Sequence, residues 1–480
     1  MDDALRILAG RLLAAAPCSV EMPAGTGKTH LLAAAAATAA ASDQRSLVLT
    51  HTNAGVDAIR KRLRHFGVPP TLVRVDTITS WAFSLVRSYS VLADISITEI
   101  PDWTRSDEYL AGATRVALSA AIAEVHSISF DYLFVDEYQD CTLVLHEFVL
   151  ALAAAIPKSV ILGDRLQAIF TFAGPMAAWD DHVLSHFPPY KLDVNPHRWN
   201  DHNVDLGRWL LAIRPQLTHG QIFDFAAHSV PGLHFFANGD PAALGTMAHS
   251  FRDFDESVVL LDKWPNDVAG HASRLGGKYS VMEDISGNFM RRKLQDLPDE
   301  GDYRLALWFA SFAKECIVGL SGIDAAVQGR LARNEGITHY TRPGIESVLA
   351  ALDQLRLNPT YAQLAVAADA FRGSTNLRIY RWEAWNDTRE AISMSAASGE
   401  SAINNLARVR DRLRRTGRRS ENRTASRTLL VKGLEYDHVI IADLNKMRDP
   451  RNLYVALSRA RKTVIVFGSS PRIKLANDNS

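Results

Sequence analysis

The stretch Met22-Pro-Ala-Gly-Thr-Gly-Lys-Thr29 decides the fold of this chain. A short apolar run, Cys18 to Met22, precedes it, and an alanine-rich segment from Leu31 to Ala41 follows. A glycine-rich loop between a strand and a helix turns its backbone N–H groups, and the positive end of the helix, toward a bound phosphate. The pattern therefore predicts a phosphate-binding loop in an α/β domain.

Each residue type in the loop has a predicted task. Lys28 can reach the β- and γ-phosphates of a nucleoside triphosphate, and Thr29 can ligate Mg²⁺. Glycine permits the positive φ and the close approach to a ligand that the loop needs. The usual pattern begins with glycine, where this chain has Met22, so the alternative is a chance surface turn. The residues predicted to hold the nucleotide are Pro23, Ala24, Gly25, Thr26, Gly27, Lys28 and Thr29.

Composition narrows the class of protein. Lys plus Arg and Asp plus Glu both number 53, so the chain has no global positive field and any nucleic-acid contact must come from local surfaces. Three widely spaced cysteines suit a reducing compartment. The first residues are acidic, unlike a signal peptide, and the segment from Leu31 to Ala41 is shorter than a membrane span. We therefore expect a cytoplasmic protein with no membrane partner.

Apolar runs alternate with helical patterns along the chain, which favours parallel sheets covered by helices. The stretch from about Phe289 to Arg415 is predicted to be mostly helical. The runs predicted as strands are Ser46–Thr50, Tyr132–Val135, Ser159–Leu162, Leu233–Phe236, Ser257–Leu261, Val439–Ala442 and Thr463–Phe467.

A second signal is the run Leu133-Phe-Val-Asp-Glu-Tyr-Gln-Asp140, in which an apolar strand ends in two carboxylates. Asp136 is then predicted to meet the magnesium beside Thr29, and Glu137 to orient or deprotonate the attacking water. Such a pair is common by itself, but a phosphate loop upstream makes it specific.

A third signal follows the next strand, in Leu162-Gly-Asp-Arg-Leu-Gln-Ala-Ile-Phe-Thr-Phe-Ala-Gly174. Gln167 is predicted to sense the γ-phosphate. Phe170 and Phe172 are candidates for stacking on nucleic-acid bases, an interaction that tolerates any sequence. The alternative is that one of the two rings belongs to the core.

A fourth signal consists of Val431-Lys-Gly-Leu-Glu-Tyr-Asp-His438 and Asn452-Leu-Tyr-Val-Ala-Leu-Ser-Arg-Ala-Arg461. Arg459 is a candidate for stabilising charge on the transferring phosphoryl group. These four blocks, in this order, resemble the superfamily 1 helicases of the UvrD/Rep type. The resemblance spans Val20 to about Phe467 and is weakest in the helical stretch.

The resemblance implies an α/β fold with two RecA-like (P-loop NTPase) parallel-sheet domains. It predicts a first domain over 1–185 with a short accessory insertion at about 88–128. A second domain is predicted over 186–288 plus 416–480, with a larger helical insertion at 289–415. It implies an ATP- and Mg²⁺-dependent DNA helicase or single-strand translocase, moving 3′ to 5′ on single-stranded or partly duplex DNA.

The resemblance also assigns roles to residues. It gives Lys28, Thr29, Asp136, Glu137 and Gln167 to the nucleotide site of the first domain. Arg198 and Arg459 would be γ-phosphate arginines of the second domain, and Gly433 and Glu435 would flank the γ-phosphate and ribose. The residues implied to contact DNA are His51, Asn53, Thr77, Thr79, Phe170, Phe172 and Trp199. For His51, a hydrogen-bonded loop histidine is an equal alternative.

Several departures from the family favour a second hypothesis. No glutamine motif precedes the loop, Ala173 stands where the family usually has arginine, and the stretch between Ser80 and Asp131 is short. The chain could therefore be a DNA-sensing regulatory NTPase that controls a partner such as a nuclease. Compact helicases of this type occur beside nucleases in antiphage systems such as Gabija, which is an analogy only.

An arginine-rich stretch from Arg408 to Arg427 favours a nucleic-acid or partner surface, because it is strongly one-signed in a neutral chain. The alternative is a solvated helix face with acidic partners such as Asp411.

Overall fold

A computed structural model describes residues 1–97, 105–170, 174–238, 242–251, 255–339, 343–416 and 421–477. The chain forms two compact units. The first comprises Met1–Gln221, Asp449–Ser458 and Leu475–Ser480, and the second comprises Ile222–Arg448 and Arg459–Lys474. These limits differ from the predicted 1–185 and 186–288 boundaries, and the three-part domain division stays a prediction.

The first unit is built on a five-stranded parallel sheet with the order β1-β5-β4-β2-β3. Its strands are β1 (Cys18–Glu21), β2 (Ser46–Thr50), β3 (Val73–Thr77), β4 (Tyr132–Val135) and β5 (Lys158–Gly163). Its helices are α1 (Asp3–Ala14), α2 (Lys28–Ala40), α3 (Asn53–His65), α4 (Ile78–Ser88), α5 (Ser90–Ala93), α6 (Ser106–Leu118), α7 (Ala120–Ser129), α8 (Leu143–Ala155), α9 (Leu184–His186), α10 (Val204–Ala212) and α20 (Pro450–Leu457).

Both faces of this sheet are buried, because alternate side chains along each strand point to opposite faces and pack into two separate cores. Val48 and Phe134 pack with α1, α2 and α3 on one face. Leu47 and Leu133 pack with α4, α6 and α8 on the other. The alanine-rich α2 is buried almost all round because small side chains let α1, α3 and the sheet approach it closely.

The second unit contains a six-stranded parallel sheet with the order β7-β14-β13-β8-β12-β9. The strands of this unit are β6 (Ile222–Asp224), β7 (Leu233–Ala237), β8 (Val258–Leu261), β9 (Ser280–Val281), β10 (Ile317–Val318), β11 (Arg378–Ile379), β12 (Arg423–Ser426), β13 (Tyr436–Ile441), β14 (Ala460–Gly468) and β15 (Arg472–Lys474). The pairs β10–β11 and β6–β15 are antiparallel.

The predicted helical stretch is helical and has its own core. The helices of the second unit are α11 (Ala243–Ser250), α12 (Pro265–Arg274), α13 (Asn288–Gln295), α14 (Arg304–Cys316), α15 (Ala325–Ala332), α16 (Glu346–Leu357), α17 (Tyr361–Gly373), α18 (Trp382–Ser398) and α19 (Ala402–Thr416). Helices α13 to α19 bury an apolar cluster that includes Phe309, Phe371 and Trp385. The α/β fold with two parallel sheets is therefore confirmed.

Candidate nucleotide-binding site

Three loops of the first unit meet because of the strand order. The loop after β1 carries the predicted phosphate-binding residues, Asp164 directly follows β5, and Asp136 directly follows β4. Parallel strands place their carboxyl ends on one edge of the sheet, and β5 lies between β1 and β4. A single edge therefore gathers the first three sequence signals.

The departure at Met22 has a structural explanation. Its backbone N–H donates to the carbonyl of Gly163 at 2.9 Å, so it extends the pairing of β1 with β5. Its side chain is buried in the core beneath α2. The position serves as the last rung of the strand, where an apolar side chain packs well.

The two glycines have left-handed backbone, with φ of +72° at Gly25 and +88° at Gly27, which is the cap of α2. A Cβ at Gly25 would lie 2.5 Å from the ring of Trp199. The backbone N–H of Arg198 also donates to the Gly25 carbonyl at 3.0 Å. The glycine is thus required both by conformation and by the segment packed over the loop.

Lys28 lies within a pair of carboxylates. Its Nζ is 2.8 Å from Glu137 Oε1 and 3.8 Å from Asp136 Oδ1, and the side chain is 8% exposed. Burial alone would lower the pKa of Lys28, but the Glu137 and Asp136 carboxylates raise it above its usual value. Lys28 therefore stays charged, and its ammonium has no hydrogen bond of good angle in the described structure. A buried donor of this kind suits a phosphate oxygen.

Thr29 and Asp136 fit the predicted magnesium ligands. The Thr29 hydroxyl donates to Asp136 Oδ2 at 3.1 Å, so a hydroxyl and a carboxylate oxygen already lie side by side. Burial raises the pKa of Asp136, as does the charge of Glu137, whereas the nearby Lys28 ammonium lowers it; the net pKa lies above the usual value. Hard oxygen ligands in an acidic site suit Mg²⁺ when it arrives with the phosphates of its substrate.

Glu137 has left-handed backbone at φ +56°, a conformation that costs a non-glycine residue free energy. Its carboxylate accepts a hydrogen bond from Gln139 Nε2, and Gln139 Oε1 accepts one from the Asp164 backbone N–H at 2.9 Å. Gln167 Nε2 in turn donates to Asp164 Oδ2 at 2.9 Å. A continuous hydrogen-bonded chain thus joins the predicted base to the predicted γ-phosphate sensor. Sequence reasoning gave no role to Gln139 or Asp164.

Sequence reasoning gave no role to two further residues of the site, Arg214 and Tyr454, although Tyr454 lies within the fourth signal. Arg214 Nη2 lies 2.9 Å from Asp164 Oδ1 and 2.9 Å from Glu21 Oε1, and its guanidinium lies 5.0 Å from the ring centroid of Tyr454. The Tyr454 hydroxyl accepts from the Ala24 N–H at 3.2 Å, beside Asp164 Oδ2 at 3.0 Å. Residues from three distant parts of the chain therefore hold the entrance of the phosphate loop.

Replacing Arg214 with methionine should destabilise the first unit by roughly 3–5 kcal/mol, because Asp164 is fully buried and would lose its ion-pair partner. Urea unfolding followed by tryptophan fluorescence measures the change. Arg208→Met is the matched control, because Arg208 is 72% exposed and its ion pair is with the exposed Asp205. Equal stability of the two variants would show that the Asp164 pair contributes little.

The predicted arginines fall in different units. Arg198 lies in the first unit, where its Nη1 donates to the carbonyl of Ser458 at 2.6 Å. Arg459 lies in the second unit and donates to the carbonyl of Leu434 at 3.2 Å. Gly433, with φ +82°, and Glu435 belong to the same exposed turn before β13. The γ-phosphate roles of both arginines stay predictions.

Four of the predicted DNA-contacting residues lie where β2 and β3 of the first sheet end. His51 and Asn53 follow β2, and His51 Nε2 lies 3.4 Å from Cys141 Sγ. Thr77 is the N-cap of α4, accepting from the Ser80 N–H at 3.0 Å, and Thr79 is partly exposed in the first turn. Thr77 therefore has a capping role whether or not it also meets DNA.

The predicted stacking aromatics have different surroundings. Phe170 is partly exposed, and Phe172, like Ala173, lies outside the described residues. Trp199 is 1% exposed and packs over Gly25 and Gly207. In this conformation Trp199 supports the phosphate loop and its ring is closed to a base.

Three arginines of α19 have the acidic partners that the alternative of an ion-paired helix face predicts. Arg410 is buried and lies 2.7 Å from Asp387, while Arg408 and Arg412 lie 2.6 Å and 2.8 Å from Glu400 and Glu390. Arg418 and Arg419 lie outside the described residues, as do the side chains of Arg414 and Arg415. The three described arginines of α19 hold this helix to α18 and to its neighbouring loops.

Residues 8–173 match the model of a family described as an AAA domain. The match contains the phosphate loop, the Asp136–Glu137 pair and the Asp164–Gln167 turn. Fold, site and match together make the first unit a P-loop NTPase domain with a RecA-like fold, of the kind found in UvrD/Rep-type helicases. No curated protein matches the chain. Among the described helices, none combines the length and apolar character needed to cross a membrane.

Proposed function

We propose that this protein is an ATP-dependent DNA helicase or single-stranded DNA translocase. The observation that carries the proposal is the hydrogen-bonded chain from Glu137 through Gln139 and Asp164 to Gln167. It connects the residues predicted to surround a γ-phosphate to the segment that continues to Phe170. A change at the nucleotide can thereby alter a segment that also carries a candidate base-stacking ring.

The residues of this chain divide the chemical work of hydrolysis. Lys28 binds the β- and γ-phosphates and neutralises charge that builds up during phosphoryl transfer. Glu137 accepts a proton from the attacking water, and Gln167 contacts the γ-phosphate that leaves. Thr29 and Asp136 would hold Mg²⁺, which would supply positive charge to the phosphate oxygens. Arg198 would supply further positive charge to the transferring group, and the same role for Arg459 is carried over from the resemblance to UvrD/Rep-type helicases.

The coupling to DNA follows from where the candidate contacts lie. His51 directly follows β2, and Asn53 and Thr79 lie in the first turns of the helices that follow β2 and β3 of the sheet that bears the site. Gln167 is three residues before Phe170. Binding and release of the nucleotide would therefore switch these contacts between tighter and weaker binding of the DNA strand. The resemblance to UvrD/Rep-type helicases supports movement in the 3′ to 5′ direction.

Steady-state ATP hydrolysis with and without a single-stranded oligonucleotide tests the proposal. We expect the oligonucleotide to stimulate the rate of ATP hydrolysis strongly, because a translocase couples hydrolysis to movement only while it is bound to DNA. Displacement of a strand from duplexes with 3′ or 5′ tails then tests polarity. Hydrolysis that is indifferent to DNA would contradict the proposal.

A second candidate is a DNA-sensing regulatory NTPase that acts with a partner protein such as a nuclease. The compact helical insertion between β3 and β4, in which α4 to α7 cover one face of the sheet, favours it because little separate surface is available for duplex separation. This candidate predicts DNA-stimulated hydrolysis without strand displacement by the protein alone.

A further inference from the structure

The exposed face of α3 carries an unusual concentration of positive charge. Val56, Ile59 and Leu63 point into the core of the first unit. The opposite face exposes residues at helical spacing, namely Asn53, Asp57, Arg60, Lys61 and Arg64. This face, which we call the α3 stripe, begins at Asn53 and is basic over its second half.

The cations of the stripe are not neutralised. Arg60 Nη2 donates to the carbonyl of Val75 at 2.7 Å, which positions the group but leaves its charge. Within the described ranges, neither Lys61 nor Arg64 has an acidic group in ion-pair distance. By contrast, the exposed Arg408 and Arg412 both have carboxylate partners within 2.8 Å. The net charge of the protein is zero, yet the α3 stripe has cations without carboxylate partners among the described residues. The stripe therefore presents a local anion-binding surface.

Helix stability accounts for only part of this pattern. Cations in the last turn of a helix gain about 0.3–1 kcal/mol from the helix dipole, and Arg64 lies in that turn. Arg60 and Lys61 precede the last turn, where the dipole effect has largely fallen off. The stripe is also unlike a membrane-binding helix, because α3 has no exposed large hydrophobic side chain to insert between lipids.

We propose that the α3 stripe binds the phosphate backbone of the DNA on which this protein acts, an inference that rests on the proposed function. From Asn53 to Arg64 the helix rises about 16 Å, at ~1.5 Å per residue. The basic part, from Arg60 to Arg64, covers about 6 Å of that length, or about two nucleotide steps of one strand at ~3.4 Å per step. The stripe therefore extends the DNA path from Asn53, at the carboxyl edge of the sheet, along the outside of the first unit.

The test compares two charge variants with a matched control. Lys61→Glu/Arg64→Glu reverses two charges, and Lys61→Gln/Arg64→Gln removes them, while both retain the Arg60 bond to Val75. Arg408→Gln/Arg412→Gln removes the same number of charges from exposed, ion-paired sites. Fluorescence anisotropy measures binding to a labelled single strand and to a duplex over a series of salt concentrations.

We expect the Gln variant to reduce the slope of log affinity against log salt by about 1.4 for the single strand or about 1.8 for the duplex, since each phosphate contact contributes ~0.7 or ~0.9. Affinity at low salt should fall at least about tenfold, and further in the Glu variant. The stripe binds single-stranded DNA if the change appears with the single strand, and duplex DNA if it appears with the duplex. ATP hydrolysis without DNA and melting temperature should match the wild type.

The outcomes separate two failures. If the wild type does not bind DNA and its ATP hydrolysis is not stimulated by DNA, the proposed function itself is wrong. If the wild type binds DNA and all three variants retain its affinity and salt slope, only the α3 inference is wrong. Loss of binding to phosphatidylserine vesicles with unchanged DNA binding would instead assign the stripe to an anionic membrane surface.

Discussion

Replacement of Lys28 by alanine is expected to reduce ATP hydrolysis by about a thousandfold or more. Lys28 lies between the carboxylates of Glu137 and Asp136, and both raise its pKa, so it brings a permanent positive charge to the loop. Without that charge, two carboxylates would face the β- and γ-phosphates directly. The loss therefore combines a missing phosphate contact with repulsion of a polyanion, and should weaken nucleotide binding as well as turnover.

Two measurements make this expectation specific. Phosphate release reports turnover, and a fluorescent ATP analogue reports binding. Lys158→Ala is the matched control, because Lys158 belongs to the same unit but lies at the amino end of β5, over the ring of Tyr132. The control should hydrolyse ATP at the wild-type rate. Wild-type turnover by Lys28→Ala would refute the assignment of the nucleotide site.

The sequence predicts this site well because its parts are short and local. The phosphate loop and the Asp136–Glu137 pair each directly follow an apolar strand, and the strands Ser46–Thr50 and Tyr132–Val135 have the predicted limits. Buried parallel strands are read easily because both faces require apolar residues. The edge strands β3 and β9, and β12 beside β9, were not predicted, because each is short or contains polar residues instead of a continuous apolar run.

The supports of the site could not be read in the same way. Arg214 and Tyr454 reach the phosphate loop from positions about 190 and 430 residues away along the chain, and only the folded chain brings them there. Trp199 is buried against Gly25. Glycine has no Cβ at this position, and a Cβ there would collide with the Trp199 ring. The positive φ of Glu137 is likewise set by tertiary contacts, since glutamate has no intrinsic preference for that region.

Replacement of Glu137 by glutamine is expected to reduce hydrolysis by about a hundred- to ten-thousandfold while nucleotide binding persists. Glutamine keeps the shape of the side chain and can still bond to Gln139, so the hydrogen-bonded chain to Asp164 and Gln167 should survive. It lacks the carboxylate needed to accept a proton from water. The variant should therefore accumulate in the ATP-bound state. It should bind DNA in the conformation that precedes hydrolysis.

The same variant separates a catalytic role for Glu137 from a structural one. Glu124→Gln on α7 is the control, because it removes an exposed carboxylate of the first unit far from the loop in sequence. If Glu137 only neutralised Lys28, its replacement would alter nucleotide affinity and leave the hydrolysis of bound ATP nearly unchanged. Single-turnover hydrolysis of pre-bound ATP distinguishes the two roles, since it excludes binding from the measured rate. The left-handed backbone at Glu137 favours the catalytic role, because strain of this kind persists where a side chain must be aimed at a reacting group.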